Sequence, residues 1–415
     1  MTAATPDTAP GGGLEDLLQD VDVVDPYPLW QSLLDAGPIV APDGSFALLS
    51  RHADCDAVLR SDAVSSDRSN SARWQAVSAQ MSAEDRERLE RSKPFLFMDP
   101  PDHTRLRRLV SKAFTPRMVE RLEPMVAELA DTLLDGASGE RLELVGELAY
   151  PLPVTVISRM LGVPPEDHVR FAAWSDVLAK GLDDTLSAAT PEDMAERRRA
   201  GDEFRSYFGD LVEKRRAEPA DDLLSALVAA EEAGDRLSSD ELVSTAMLLL
   251  VAGHETTVNL IANGALVLLR DEALRARVAT DPAYAAGVVE EVLRLDPPVQ
   301  MTMRIPLQDL EVPGGTVRAG GAVVLLLASA GRDPAQHEDP LRLDPARTSG
   351  HLAFSAGPHY CLGAALARLE ARVALTALAR RLVRPRLGAL TYRENRVLRG
   401  PARLEIEHDG VLPPA

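Results

Sequence analysis

Residues 351–368 read His-Leu-Ala-Phe-Ser-Ala-Gly-Pro-His-Tyr-Cys-Leu-Gly-Ala-Ala-Leu-Ala-Arg. Gly357, Pro358 and two histidines predict a loop as far as Tyr360, and the Ala/Leu-rich run after Cys361 predicts a helix. Cys361 therefore stands at a loop-to-helix junction. Free backbone N–H groups and the positive end of the helix dipole favour a thiolate there. A thiolate held by N–H donors in an apolar setting is a good soft ligand for iron. The other cysteine, Cys55, lacks such a neighbourhood and reads as an inert buried thiol. A second chemical segment is Ala252-Gly253-His254-Glu255-Thr256-Thr257, in the middle of the most apolar stretch of the chain. Acidic and hydroxyl side chains inside an apolar helix cost free energy unless they are paired or used. Small residues at 252 and 253 let something flat approach the backbone.

That second segment must sit on a long helix. Ser238 can cap its first turn, with Glu241 completing a capping box, and the pattern runs to about Arg270. At ~1.5 Å per residue such a helix is on the order of 48 Å long and must cross the core. Met118–Asp135 has helical spacing, and Pro191–Ala217 reads as a solvated helix capped by Thr190. Strand signals are short: Phe46–Leu49 after a Pro-Asp-Gly turn, and Val323–Leu327. There is no internal repeat and no alternation of strands and helices, so one large, mainly helical domain is expected over residues 15–410. Residues 1–14 lack a basic or apolar run and are expected to be a disordered, uncleaved N-terminus.

Composition narrows the function. The 415 residues carry 64 acidic and 45 basic side chains, a net charge of −19, which argues against general nucleic-acid binding. With 45% hydrophobic residues the chain is globular, and its two distant cysteines make neither a disulfide scaffold nor a zinc cluster. They fit a reducing cytoplasm. His254 and Glu255 interrupt Leu242–Leu269, so no membrane span is expected.

The loop resembles the haem loop of the cytochrome P450 superfamily, filled here by Phe354, Gly357, His359, Cys361 and Gly363. Ser355 stands where many members have Gly. The resemblance implies that Cys361 is the axial thiolate of haem b, that Phe354 shields the sulfur and that the two glycines let the loop pack on the porphyrin. Other segments match in order. Asp99–Arg107 is similar to the helix that meets the haem propionates, with His103 and Arg107 on one face. Ala252–Thr256 is similar to the oxygen-activation segment. Glu291 and Arg294 resemble the Glu-x-x-Arg pair, with Arg342 as its expected third partner and Leu343 where the family often has Phe. Arg304 and His359 would be further propionate donors. The resemblance runs from about Asp25 to about Ile406 and points to the soluble bacterial branch.

The implied activity is that of a haem-thiolate monooxygenase, inserting one oxygen atom from O₂ into a small molecule. Thr256 would hold the water that delivers protons, and Glu255 would link it to bulk. The resemblance places the pocket in the loop from Arg73 to Leu96, the region from Phe171 to Leu182, Leu248 and Ala252, and Val299-Gln300 to Met303. Aliphatic residues dominate, which suits a bulky apolar substrate such as a macrolide, polyketide or terpenoid. Electrons are expected from a ferredoxin and its reductase. It would dock on two basic segments, His103–Arg117 and Leu366–Arg386, of a monomeric, cytoplasmic enzyme. Oxidative coupling without oxygen insertion is an alternative at the same centre, and a non-catalytic haem sensor a more distant one.

Overall fold

The computed structural model describes residues 21–414 except 92, 138, 180–189 and 233, so the expected disordered segment 1–14 lies outside the described residues. The helices that position the site are α1 (Tyr27–Ala36), α2 (Asp102–Ala113), α3 (Pro116–Asp135), α4 (His168–Ala179), α5 (Pro191–Ala217), α6 (Ser239–Arg270), α7 (Pro282–Leu295) and α8 (Ala364–Arg381). The strands are β1 (Ile39–Val40), β2 (Phe46–Leu49), β3 (Val64–Ser65), β4 (Arg141–Glu143), β5 (Thr302–Pro306), β6 (Ala322–Leu325), β7 (Arg386–Tyr392) and β8 (Pro401–Glu407). The mainly α architecture expected from the sequence is present.

The capping chemistry sets the helix boundaries. Ser238 Oγ accepts from the Glu241 N–H at 3.2 Å, and the Glu241 carboxylate accepts from the Ser238 N–H at 2.8 Å. The same Glu241 carboxylate also pairs with Arg105 of α2. Thr190 and Asp193 form the equivalent box on α5. α6 runs unbroken for 32 residues. By length and composition it would also cross a bilayer, but 72% of its most apolar window is buried within the protein. It packs on α8 so closely that a Cβ at Gly264 would meet Leu375 Cδ1 at 2.6 Å.

The strands form a five-stranded sheet in the order β1-β2-β6-β5-β3, with β6 parallel to β2 and antiparallel to β5. β6 stops at Leu325, earlier than the apolar run suggested, and a short helical turn, Leu327–Ala330, follows. Its register sets Val323 opposite Arg304, which fixes Arg304 in mid-strand. A smaller sheet pairs β7 with β8 and β8 with β4.

One expected partner is corrected. Arg294 is 1% exposed and donates Nε and Nη2 to Glu291 at 2.6 and 2.7 Å. The third side chain is Arg347, whose Nε lies 3.3 Å from Glu291 Oε1. Arg342 takes part only through its backbone carbonyl, which accepts from Arg294 Nη2 at 3.0 Å. Its own side chain is exposed.

Candidate active site

Cys361 is held by the chain on both sides. Its N–H donates to the Phe354 carbonyl at 2.9 Å, closing the loop, and α8 begins three residues later. Gly357 has φ +66, and a Cβ there would meet the Leu59 carbonyl at 2.7 Å. Ser355 takes φ 62 without being glycine, so the departure from the family pattern sits in the left-handed region at a modest conformational cost. Burial raises the Cys361 thiol above its ordinary value. The N–H groups of Gly363 and Ala364 and the charges of Arg107 and Arg368 oppose it. The donors alone therefore do not make the expected thiolate; a metal on the sulfur deprotonates it outright.

The sulfur faces a cavity of about 380 Å³. Ala252, Gly253 and Thr256 line it on the α6 side, and Cys361, Gly363 and Leu366 on the α8 side. A Cβ on Gly363 would find only Cys361 Sγ, at 4.0 Å, and one on Gly253 would find nothing within 4 Å. Both glycines leave open space beside the sulfur and the helix.

Arg107, Arg304 and His359 line the same cavity, and His103 stands behind His359. His103 is 2% exposed, and neither ring nitrogen has a hydrogen-bond partner. Its ring stacks on His359 with centroids 4.0 Å apart. Burial, helped by His103, Arg304 and Arg107, pushes His359 down to about 3. Arg304 is buried, and burial brings it down to about 10. Its Nη1 donates to the Met303 carbonyl at 2.9 Å, and among the described residues no acid forms an ion pair with it. Arg107 Nη2 donates to the Tyr360 carbonyl at 2.7 Å. Buried donors without an anion form a site for carboxylates. With the open space at Gly363 and the adjacent thiol, they fit a flat macrocycle bearing two carboxylates and an iron.

Thr256 lines the cavity, its Oγ1 donating to the Ala252 carbonyl at 3.0 Å. Glu255 does not line it. Its carboxylate pairs with Arg393, which is partly exposed, and lies 3.6 Å from His254 Nε2. His254 Nδ1 is in turn 2.9 Å from Ser175 Oγ. The sequence segment is therefore divided between the cavity and a polar seam behind the helix.

Leu248, Ala252 and Val299 line the cavity as expected, but Gln300 does not. Its side chain is buried, accepting from Trp30 Nε1 at 2.9 Å and donating to the Pro297 carbonyl at 2.7 Å, a structural role. Phe171 is a core residue among Phe204 and Phe208, and no described residue of α4 reaches the cavity. Gly181 and Leu182 lie outside the described residues. From the 73–96 loop only Phe95 and Leu96 line the cavity. Phe97, Phe114 and Glu370 were not anticipated. Glu370 carried a readable signal, a lone acid inside the Ala/Leu-rich helix.

The basic segments also change meaning. Arg105 pairs with Glu241, Arg368 with Glu290, Arg372 with Glu123, Arg381 with Asp131 and Asp135, and Arg384 and Arg386 with Asp409. Much of the local excess of positive charge is neutralised by acids from elsewhere in the chain.

A cysteine facing the cavity beside basic side chains with no acid to pair them, under a long helix carrying a hydroxyl, defines a cysteine-ligated haem enzyme. The family model for Cytochrome P450 matches residues 75–281 and 280–383, and the chain belongs to that family. It is 41% identical over 412 residues to a Vitamin D(3) 25-hydroxylase of Pseudonocardia autotrophica, covering 96% of this chain and 98% of the relative. It is 43% identical over 320 residues to a Mycinamicin IV hydroxylase/epoxidase of Micromonospora griseorubida, covering 75% and 79%. The ligand-free crystal structure of Mycobacterium smegmatis CYP164A2 superposes with a TM-score of 0.85 at 46% identity, covering 94% of this chain and 98% of that one. The chain is thus a bacterial-type cytochrome P450 oxidoreductase.

Proposed function

We propose that this P450 inserts oxygen into a bulky apolar or amphipathic molecule of the macrolide, polyketide or terpenoid kind, by hydroxylation or epoxidation. The observation that carries the reading is the cavity beside Cys361, whose walls away from the basic cluster are largely aliphatic: Leu248, Leu249, Ala252, Val299, Met301 and Leu398. Few polar groups there would fix a small polar substrate, and shape and apolar contact would select the ligand. The hydroxylase relatives, one named for vitamin D(3) and one for mycinamicin IV, support this class.

Haem b, held through Cys361, would supply the iron at which O₂ is bound and reduced. His103, Arg107, Arg304 and His359 would hold its carboxylates and orient it. Thr256 would hold a water at the cavity wall, and Glu255 would pass protons to it from the Arg393 side. A hydroxyl both donates and accepts, and a carboxylate takes up and releases protons. Electrons would come from a ferredoxin and its reductase in the cytoplasm. The exposed Arg108, Lys112 and Arg117, at the end of α2 and the start of α3, would receive the ferredoxin. A substrate screen for the low- to high-spin shift tests the ligand class; binding of only small polar molecules would refute it. Thr256→Ala should keep the haem spectrum but divert electrons to peroxide. Unchanged product per NAD(P)H would refute the role of Thr256.

A further inference from the structure

Arg368 stands in the sequence as one more cation of a docking face. Its geometry is different. Nε and Nη2 form a two-pronged bond to Glu290 of α7 at 2.6 and 2.9 Å. Nη1 donates to the Tyr360 hydroxyl at 3.2 Å. The guanidinium carbon lies 4.5 Å from the centre of the Phe354 ring. Glu290 is anchored a second time, with His351 Nε2 3.3 Å from its carboxylate. His351 Nδ1 accepts from the Ala353 N–H at 3.2 Å, and its ring lies 5.9 Å from that of Phe354. Phe354 supplies the carbonyl that holds the Cys361 N–H.

Three groups from α8 and both ends of the loop, Arg368, His351 and Tyr360, thus meet the ring of Phe354, and Glu290 of α7 anchors two of them. A forked guanidinium fixed at both prongs has lost its freedom to seek a partner protein, and its planar face is committed to an aromatic ring. The charge also sits against the ring of Phe354, the residue whose carbonyl holds the Cys361 N–H. Against burial, the hydrogen bond from His351 and then that from Arg368 with its charge hold Glu290 down at about 2, so the carboxylate stays ionised through the neutral range.

We propose that Arg368 is a positioning residue for the iron-ligating sulfur: anchored by Glu290 and His351, it fixes Phe354, whose carbonyl holds the Cys361 N–H, and sets the electrostatic field there. The proposal rests on the reading that Cys361 ligates haem iron. Its two partners act on the sulfur with opposite sign. Arg368→Gln leaves the Glu290 carboxylate uncompensated, and Glu290→Gln leaves the guanidinium uncompensated. The oxidised centre carries one more positive charge than the reduced one, so nearby positive charge destabilises it relative to the reduced state and raises the potential, and negative charge lowers it.

The test is spectroelectrochemical titration of the holoenzyme with no redox partner present. Arg368→Gln should lower the ferric/ferrous potential, Glu290→Gln should raise it, and Arg368→Lys, which keeps the charge but loses the fork and the planar stack, should move it less than Arg368→Gln. Shifts of the same sign in the first two variants would reduce the network to packing and overturn the proposal. Unchanged potentials with a slower ferredoxin-driven rate would make Arg368 a docking cation and overturn it as well. If Arg368→Gln fails to retain haem, the Glu290→Gln and Arg368→Lys pair still decides. The reduced-CO spectrum of the wild type separates the two levels: without the red-shifted thiolate band, the assignment of Cys361 fails before the clamp is tested.

Discussion

The arginine cluster beneath the haem loop gives the sharpest test of how this fold is held. Arg294 uses all of its N–H donors. Two go to Glu291, one each to the carbonyls of Gly331 and Pro340 at 2.8 and 2.6 Å, and one to that of Arg342. Glu291 is 3% exposed and also accepts from the Asp344 N–H at 2.7 Å. Arg294→Met would break a buried pair, at about 3–5 kcal/mol. It would also strand three carbonyls, at about 1–3 kcal/mol each where water cannot reach them. The sum rivals the whole stability of a typical domain, about 5–15 kcal/mol. Arg294→Met should therefore fail to accumulate as folded protein. Arg347→Met leaves Glu291 bound to Arg294 but removes its own contact to Glu291 and its bonds to the exposed carbonyls of Glu338, Asp339 and Arg342, so a loss of about 1.5–3 kcal/mol is expected. Arg342→Ala should change stability by under about 0.5 kcal/mol, because only its carbonyl is engaged. Urea unfolding followed by circular dichroism, with midpoint and slope compared at equal haem occupancy, measures Arg347→Met and Arg342→Ala, and the yield of folded protein measures Arg294→Met. The reasoning fails if Arg342→Ala costs as much as Arg347→Met, or if Arg294→Met unfolds within 1 kcal/mol of wild type.

Burial alone pushes the Glu370 carboxyl from 4.5 to about 8. The folded protein then keeps a proton that the unfolded chain releases, so stability falls as pH rises from about 4.5 to about 8 and levels off above. At pH 7 the cost is on the order of 3 kcal/mol, and Glu370→Gln should be more stable than wild type there and lack that slope. Melting temperatures of the two proteins between pH 5 and 8 would run parallel if Glu370 were ionised in the fold. Gln300→Leu should lose about 1–3 kcal/mol by stranding the Trp30 N–H and the Pro297 carbonyl. It should leave the substrate-induced spin shift unchanged, whereas Val299→Ala should alter it. A changed substrate affinity in Gln300→Leu would return that residue to the pocket.

The elements that were legible in the sequence have local causes. Ser238 with Glu241 and Thr190 with Asp193 are capping boxes readable from four residues, and the structure starts both helices where those residues place them. The loop before Cys361 was legible because Gly357 and Gly363 mark a tight turn at the start of a helix. The misplaced residues needed information that spacing does not carry. Val299 and Gln300 are neighbours in extended chain, so their side chains leave on opposite sides and only one can face the cavity. Choosing between Arg342 and Arg347 required knowing which chain segment offers a carbonyl and which a guanidinium. The basic segments were counted along the chain, while the acids that answer them, such as Glu123, Glu290 and Asp409, arrive from other elements. Glu255 was correctly placed on the central helix, but its orientation depends on Arg393, some 140 residues away in the chain.

The doubly engaged Glu241 has a dynamic consequence. It closes the first turn of α6 and grips Arg105 of α2, the helix that carries His103 and Arg107. Helix ends ordinarily fray first and independently, exchanging their amide hydrogens at their own rate. Here the opening of the first turn of α6 releases the grip on α2 at the same moment. The amides of these two segments should then exchange as one cooperative unit, carrying the breathing of the central helix to the edge of the cofactor site, and hydrogen exchange of the first turns of α6 and α2 at different rates would exclude it.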